Sequence, residues 1–132
     1  MKVLLDTPIW SLVLRRTRPD DAIVSEFATL VQDGRVAIIG PIRQEVLSGS
    51  RDRANFERLR DYLGDFTDAE IITADYEEAA AFFNECQRNG IQGSHIDFLI
   101  CAVAVRHGFP IFTTDGDFAH FAKHLPIALY DS

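Results

Sequence analysis

The chain is poor in cysteine and lysine and has no long apolar run, and each scarcity excludes a class of protein. Among 132 residues the only cysteines are Cys86 and Cys101. They lack CxxC spacing and have no clustered histidines beside them, which argues against a structural zinc site and points to reduced core thiols in a cytoplasmic protein. Lys2 and Lys123 are the only lysines, and 13 Lys+Arg stand against 20 Asp+Glu, a formal charge of −7. Such a surface does not grip nucleic acid as a whole, so any contact with a polyanion must be local. No apolar stretch approaches the ~20 residues of a bilayer-spanning helix. The opening "MKVLLDTPIW" reaches Asp6 before a signal-like apolar region can form, so neither a membrane span nor export is expected.

What is present is apolar: 47% of the residues are hydrophobic, including ten phenylalanines. At this length that supplies one core, and a single domain over 1–132 is expected. No linker, internal repeat or low-complexity tract interrupts the chain. Short apolar runs at 2–5, 35–39, 70–73, 110–114 and 127–130 read as strands. Between them lie helical segments. The first begins at "DTPIW", with Thr7 as N-cap and Pro8 in the first helical position. The second, 20–33, carries Ile23, Val24, Phe27, Leu30 and Val31 at helical spacing. "PIRQEVLSG" at 41–49 starts with a proline and stops at a glycine. Segment 51–65 is more polar, with Phe56, Leu59 and Leu63 as its apolar face. Segment 75–90 is rich in helix formers. Segment 94–108 is the most apolar and must pack centrally, on Ile96, Leu99, Ile100, Val103 and Ala104. A last short helix spans 117–125. Strands alternating with helices favour an α/β fold around a mainly parallel sheet.

In such a fold ligands bind beyond the carboxyl ends of the strands. Asp6 follows "VLL" and Asp115 follows "IFTT", so two acids leave the ends of two buried strands. Asp97 near the start of the central helix and Glu45 beside Val46 can point to the same edge. Each acid also has an ordinary explanation. Asp6 and Asp115 can cap helices, Ser94 and Asp97 have capping-box spacing, and Glu45 can be a solvated helix residue. Those explanations account for single positions and not for a gathering, because clustered carboxylates repel unless a cation sits among them.

The motifs "VLLDTPIW", "PIRQEVLSG", "GSHIDFLICAVAVRHG" and "IFTTDGDF", in that order over essentially the whole chain, resemble the PIN-domain ribonucleases, in particular the small VapC-type toxins of toxin–antitoxin pairs. The resemblance implies a PIN-like fold and a catalytic set of Asp6, Glu45, Asp97 and Asp115, with Asp117 an additional acid and Thr113 and Thr114 standing where the family has a threonine. Where the family often has alanine, this chain has Cys101, an exchange between small residues. Asp6, Asp97, Asp115 and Asp117 would then bind Mg²⁺, with Mn²⁺ able to substitute. The implied partners are an RNA substrate, a small VapB-like antitoxin and a second copy of the chain in a homodimer.

Those residue types suit phosphodiester hydrolysis, in which oxygen-ligated hard cations activate water and offset charge on the phosphate. Arg43, two residues from Glu45, and Thr114 are candidates to contact the RNA phosphates, as are Arg15, Arg16 and Arg18 at the end of the first helix. His95 suggests general-base chemistry, and Trp10, Phe27, Phe82 and Phe83 suggest base stacking; a surface histidine and core aromatics are the simpler readings. Two other classes share some of these features. A receiver-like Mg²⁺-binding regulatory module would carry an acid pair near the first strand and a lysine after a late one, whereas Asp6 stands alone. A catalytically silent PIN binding module would lack one or more of the acids, and all are present.

Overall fold

A computed structural model describes residues 1–14 and 21–131. Its centre is β1 (Val3–Leu5), whose three residues are all fully buried. A strand with no polar face must have neighbours on both edges, and β1 has them: β2 (Val36–Ala37) on one side and β3 (Ile111–Phe112) on the other, both parallel to it. Val3 pairs with Val36 and Leu4 with Ala37, while Leu4 and Leu5 pair with Ile111 and Phe112. The ladder runs to the end of the strand, where Asp6 N–H donates to the Phe112 carbonyl at 2.9 Å.

The helices are α1 (Thr7–Val13), α2 (Asp21–Gln32), α3 (Gly40–Leu47), α4 (Arg53–Leu63), α5 (Thr73–Arg88), α6 (His95–His107) and α7 (Asp117–Phe121). In α6 every residue from Phe98 to Ala104 is buried, so the helix is apolar all round and lies in the core, as its composition requires. It packs along α5. A clamp locks the two together: Arg106 donates to both oxygens of the buried Asp75, at 2.7 and 3.0 Å, and to the Glu70 carbonyl. Trp10 meets Phe27 and Phe66 edge-on at 5.5 and 5.2 Å, and Phe82 is buried, so these aromatics are core and not stacking platforms.

Several expectations shift. The cap of α1 is Asp6 and not Thr7, because the Asp6 carboxylate accepts the Thr7 N–H at 2.8 Å, which moves Pro8 to the second helical position. No strand forms at 70–73. The sheet contact there is a single parallel bridge between Ile38 and Asp68, after which the Asp75 carboxylate takes the Ile72 N–H and turns the chain into α5. Likewise 127–130 contributes only a bridge from Leu129 to Ile111, and α7 stops at Phe121. Val31 and Ile96, placed on apolar faces by their spacing, are 39% and 38% exposed. Arg15, Arg16 and Arg18 lie outside the described residues. Among the described residues no helix is long and apolar enough to cross a membrane.

Candidate active site

The carboxyl end of β1 delivers Asp6 into a place where it is only 5% exposed. Two neighbours hold its carboxylate. The Thr7 N–H donates to Oδ1 at 2.8 Å, and the Thr113 hydroxyl, from just beyond the adjacent β3, donates to Oδ2 at 2.8 Å. Thr113 Oγ1 in turn accepts the Asp115 N–H at 3.0 Å, so one hydroxyl fixes two acids at once. Asp115, half-buried, uses Oδ1 to accept the Asp117 N–H at 2.9 Å and thereby caps the entry to α7.

Asp97 comes from the first turn of α6. It forms a reciprocal capping box with Ser94: the Ser94 hydroxyl accepts the Asp97 N–H at 3.1 Å, and Asp97 Oδ2 accepts the Ser94 N–H at 3.0 Å. The capping explanation therefore holds for this residue, and it leaves one carboxylate oxygen over. Oδ2 is spent on the cap, and Oδ1 has no partner among the described residues.

Burial raises the Asp6 pKa above its ordinary value. The Thr113 and Thr7 hydrogen bonds pull it back, and the negative charges of Asp97 and Asp115 push it up again. The fold thus brings Asp6, Asp97 and Asp115 within reach of one another's charge. Cys101, one turn after Asp97, lies behind them. Burial first, then the charges of Asp97, Cys86 and Asp6, push its thiol far up, which leaves it protonated and inert.

Among the described residues, no side chain of the remaining candidates bonds to this trio. Glu45 is exposed on α3, about 7–8 Å along the helix axis from Gly40, and has no hydrogen bond or ion pair with a described residue. Asp97 and Asp115, rather than Glu45, are the carboxylates whose charge weighs on Asp6. The side chains of Asp117 and Thr114 are exposed and unpaired among the described residues. His95 is an exposed residue stacked on Phe83 at 5.1 Å. Arg43 does not serve as a free phosphate contact. Nε donates to Asp68 at 3.0 Å, Nη1 to the Leu63 carbonyl at 2.8 Å and Nη2 to the Phe66 carbonyl, so its guanidinium ties α3 to the segment after α4. Thr113 is the residue that reasoning by type undervalued in favour of Thr114. The pairing of β1 with β3 is what separates them, because it sets the Thr113 hydroxyl against Asp6.

Among the described residues no three Asp, Glu, His or Cys side chains stand close enough to cage a bare metal ion. The donor set nevertheless fits a hydrated Mg²⁺, which keeps several waters and binds through one or two carboxylates. One observation supports the fit: the charges acting on the buried Asp6 from Asp97 and Asp115 are both negative.

The chain is similar to known proteins over nearly its whole length. Residues 3–124 match the sequence model of the PIN domain. Over 125 residues the chain is 32% identical to a VapC ribonuclease of Mycobacterium bovis, covering 92% of each chain, and it is equally similar to ribonuclease VapC11 of Mycobacterium tuberculosis. The fold also matches a chain in the crystal structure of VapBC2 from Rickettsia felis, with a TM-score of 0.81 at 16% identity over 100% of this chain and 99% of that one. A chain of FitAcB from Neisseria gonorrhoeae matches with a TM-score of 0.74 at 20% identity, over 98% and 96% of the two chains.

Proposed function

Because the chain belongs to the PIN domain family, we propose that it is a metal-dependent endoribonuclease, the toxin of a toxin–antitoxin pair, with its reaction centre at Asp6, Asp97 and Asp115. The observation that carries this reading is the gathering of those carboxylates at the carboxyl end of a parallel sheet. The relatives named ribonucleases support RNA as substrate.

Mg²⁺, or Mn²⁺ in its place, would be held by Asp6, Asp97 and Asp115, with Asp117 at the rim. When bound it lowers the pKa of an attacking water and offsets charge on the phosphate. The chain's own residues supply the order. Thr7 N–H and the Thr113 hydroxyl each hold one oxygen of Asp6, leaving further lone pairs on both. The Ser94 cap holds Asp97 by one oxygen and leaves the other open. Glu45, exposed and without a partner among the described residues, would orient the water or take its proton as the water oxygen adds to phosphorus and the ribose oxygen departs. Thr114 is free to donate to a phosphate oxygen.

An antitoxin would inhibit by laying an Arg or Lys against Asp6 and Asp97, where a guanidinium satisfies carboxylates bidentately. The exposed Tyr76 and Ile96, which line a recess of about 280 Å³ with Leu99, support a homodimer. The two buried free thiols suit a reducing cytoplasm. The decisive experiment is cleavage of a labelled single-stranded RNA by the purified chain. Cleavage is expected with Mg²⁺ or Mn²⁺ and is lost in excess EDTA; full activity in EDTA would overturn the metal mechanism.

A further inference from the structure

A polyanion bound to a chain of net charge −7 needs cations that are not already neutralised. Most described arginines are. Arg43, Arg53, Arg60, Arg88 and Arg106 each face a carboxylate. Arg35 is spent on the Met1 carbonyl, to which Nε donates at 2.8 Å. Arg51 and Arg58 have no carboxylate partner among the described residues. Both line an open groove of about 610 Å³ between α1, α3 and α4, together with Ser11, Val46, Ser50 and Asn55.

Two walls of the groove belong to helices that also bear acids of the proposed site, Asp6 as the cap of α1 and Glu45 on α3. Ser11 lies five residues after Asp6 on α1, about 7–8 Å along the axis, and Val46 is the neighbour of Glu45 on α3. Its polar floor is organised: Arg58 Nη2 donates to Asn55 Oδ1 at 2.9 Å, and Asn55 Nδ2 donates to Ser50 Oγ at 2.8 Å. This chain of bonds ties down one donor of the Arg58 fork and leaves the others free. The carboxylate at the rim, Asp52, accepts the Ala54 N–H at 3.2 Å and caps α4.

We propose that this groove is the subsite for the RNA backbone next to the scissile bond, with Arg51 and Arg58 each taking a phosphate. The inference rests on the ribonuclease reading and deepens it. A guanidinium fork paired only with a neutral amide meets a phosphate bidentately without first breaking an ion pair. The groove suits backbone rather than bases, since its charged donors are two guanidinium groups and its amide is already bonded to Ser50 and Arg58 within the wall.

The test is fluorescence anisotropy of a labelled single-stranded RNA of about 12 nucleotides, titrated in Mg²⁺ at several salt concentrations. The chain carries Asp6→Asn so that the RNA survives. Adding Arg51→Gln and Arg58→Gln should raise Kd on the order of tenfold near 0.1 M salt and lower the slope of log K against log salt by about 1.4, at roughly 0.7 per phosphate contact. Arg51→Lys with Arg58→Lys should keep the slope, and circular dichroism melts verify that every variant is folded. Unchanged Kd and slope in the glutamine variant, or no RNA binding before it is made, would overturn the inference. So would a glutamine variant that binds RNA normally but no longer captures a co-expressed antitoxin, which would make the groove a protein-docking surface. Cleavage by the otherwise unaltered chain with Mn²⁺ is scored separately. Cleavage with no effect of the arginine changes removes this subsite alone, and RNA binding without any cleavage removes the ribonuclease reading alone.

Discussion

Asp6 works against the fold that holds it. Burial and the charges of Asp97 and Asp115 keep its pKa above the ordinary value, so the folded chain binds its proton more tightly than the unfolded chain does. Stability therefore falls as pH rises through the interval between the unfolded and folded pKa values, and the penalty stands in full above the folded one. Asp6→Asn removes that charge while retaining an acceptor for Thr7 N–H. In EDTA at neutral pH the variant should melt higher than wild type, with the difference shrinking as pH drops below the aspartate range, and its cleavage should be abolished. Thermal melts at a series of pH values read both the sign and the window. A companion change, Thr113→Val, deletes the bond that lowers the Asp6 pKa and frees the Asp115 N–H. The acid limb of the pH–rate profile should then move to higher pH. An unmoved limb would mean that Thr113 does not position Asp6.

At the scale of elements, α6 is a scaffold that also carries Asp97 to the proposed site. Its first turn is pinned by Ser94, and its last turn by Arg106 on Asp75, with the apolar body between them. Asp97→Asn should consequently show two opposed effects in EDTA: relief of repulsion against Asp6, and a weaker charge at a helix N-terminus. Ser94→Ala tests the cap bond by itself, with the Asp97 charge unchanged. It should lower stability by about 0.5–2 kcal/mol in a denaturant titration while leaving cleavage largely intact, because Asp97 keeps its carboxylate. Just before this turn, Gly93 is held by steric need: a Cβ there would come within 2.6 Å of the Phe121 ring and 3.0 Å of Phe98. Gly93→Ala should cost about 1–3 kcal/mol by pushing those rings apart.

For the whole molecule, the proposed divalent cation would offset part of the acidic surplus. A ligand that binds only the native chain stabilises it by about 2.7 kcal/mol at a hundred times its Kd. Adding Mn²⁺ should therefore raise Tm in wild type, and Asp6→Asn should show little response. Equal shifts in the two proteins would place the ion elsewhere. Sedimentation at micromolar concentration should give a dimer, and substituting Tyr76 and Ile96 with serine should yield a monomer.

The residues and order of the acids were legible in the sequence because β1 and β3 are short, wholly apolar and followed at once by Asp6 and by the threonines before Asp115. The central helix was legible because a segment apolar on every side can only be buried. What a one-dimensional pattern does not carry is which polar atoms meet. Nothing in "PIRQEV" says that Arg43 is consumed by the Leu63 and Phe66 carbonyls, and nothing in "IFTT" weighs Thr113 above Thr114 without the pairing of β1 with β3 that sets the Thr113 hydroxyl against Asp6. The strand expected at 70–73 failed for the same reason, since a buried aspartate three residues after Ile72 captured its N–H. Apolar burial depends on composition and period, which the sequence states outright. Hydrogen-bond partnership depends on which segments end up adjacent, and only the folded chain decides that.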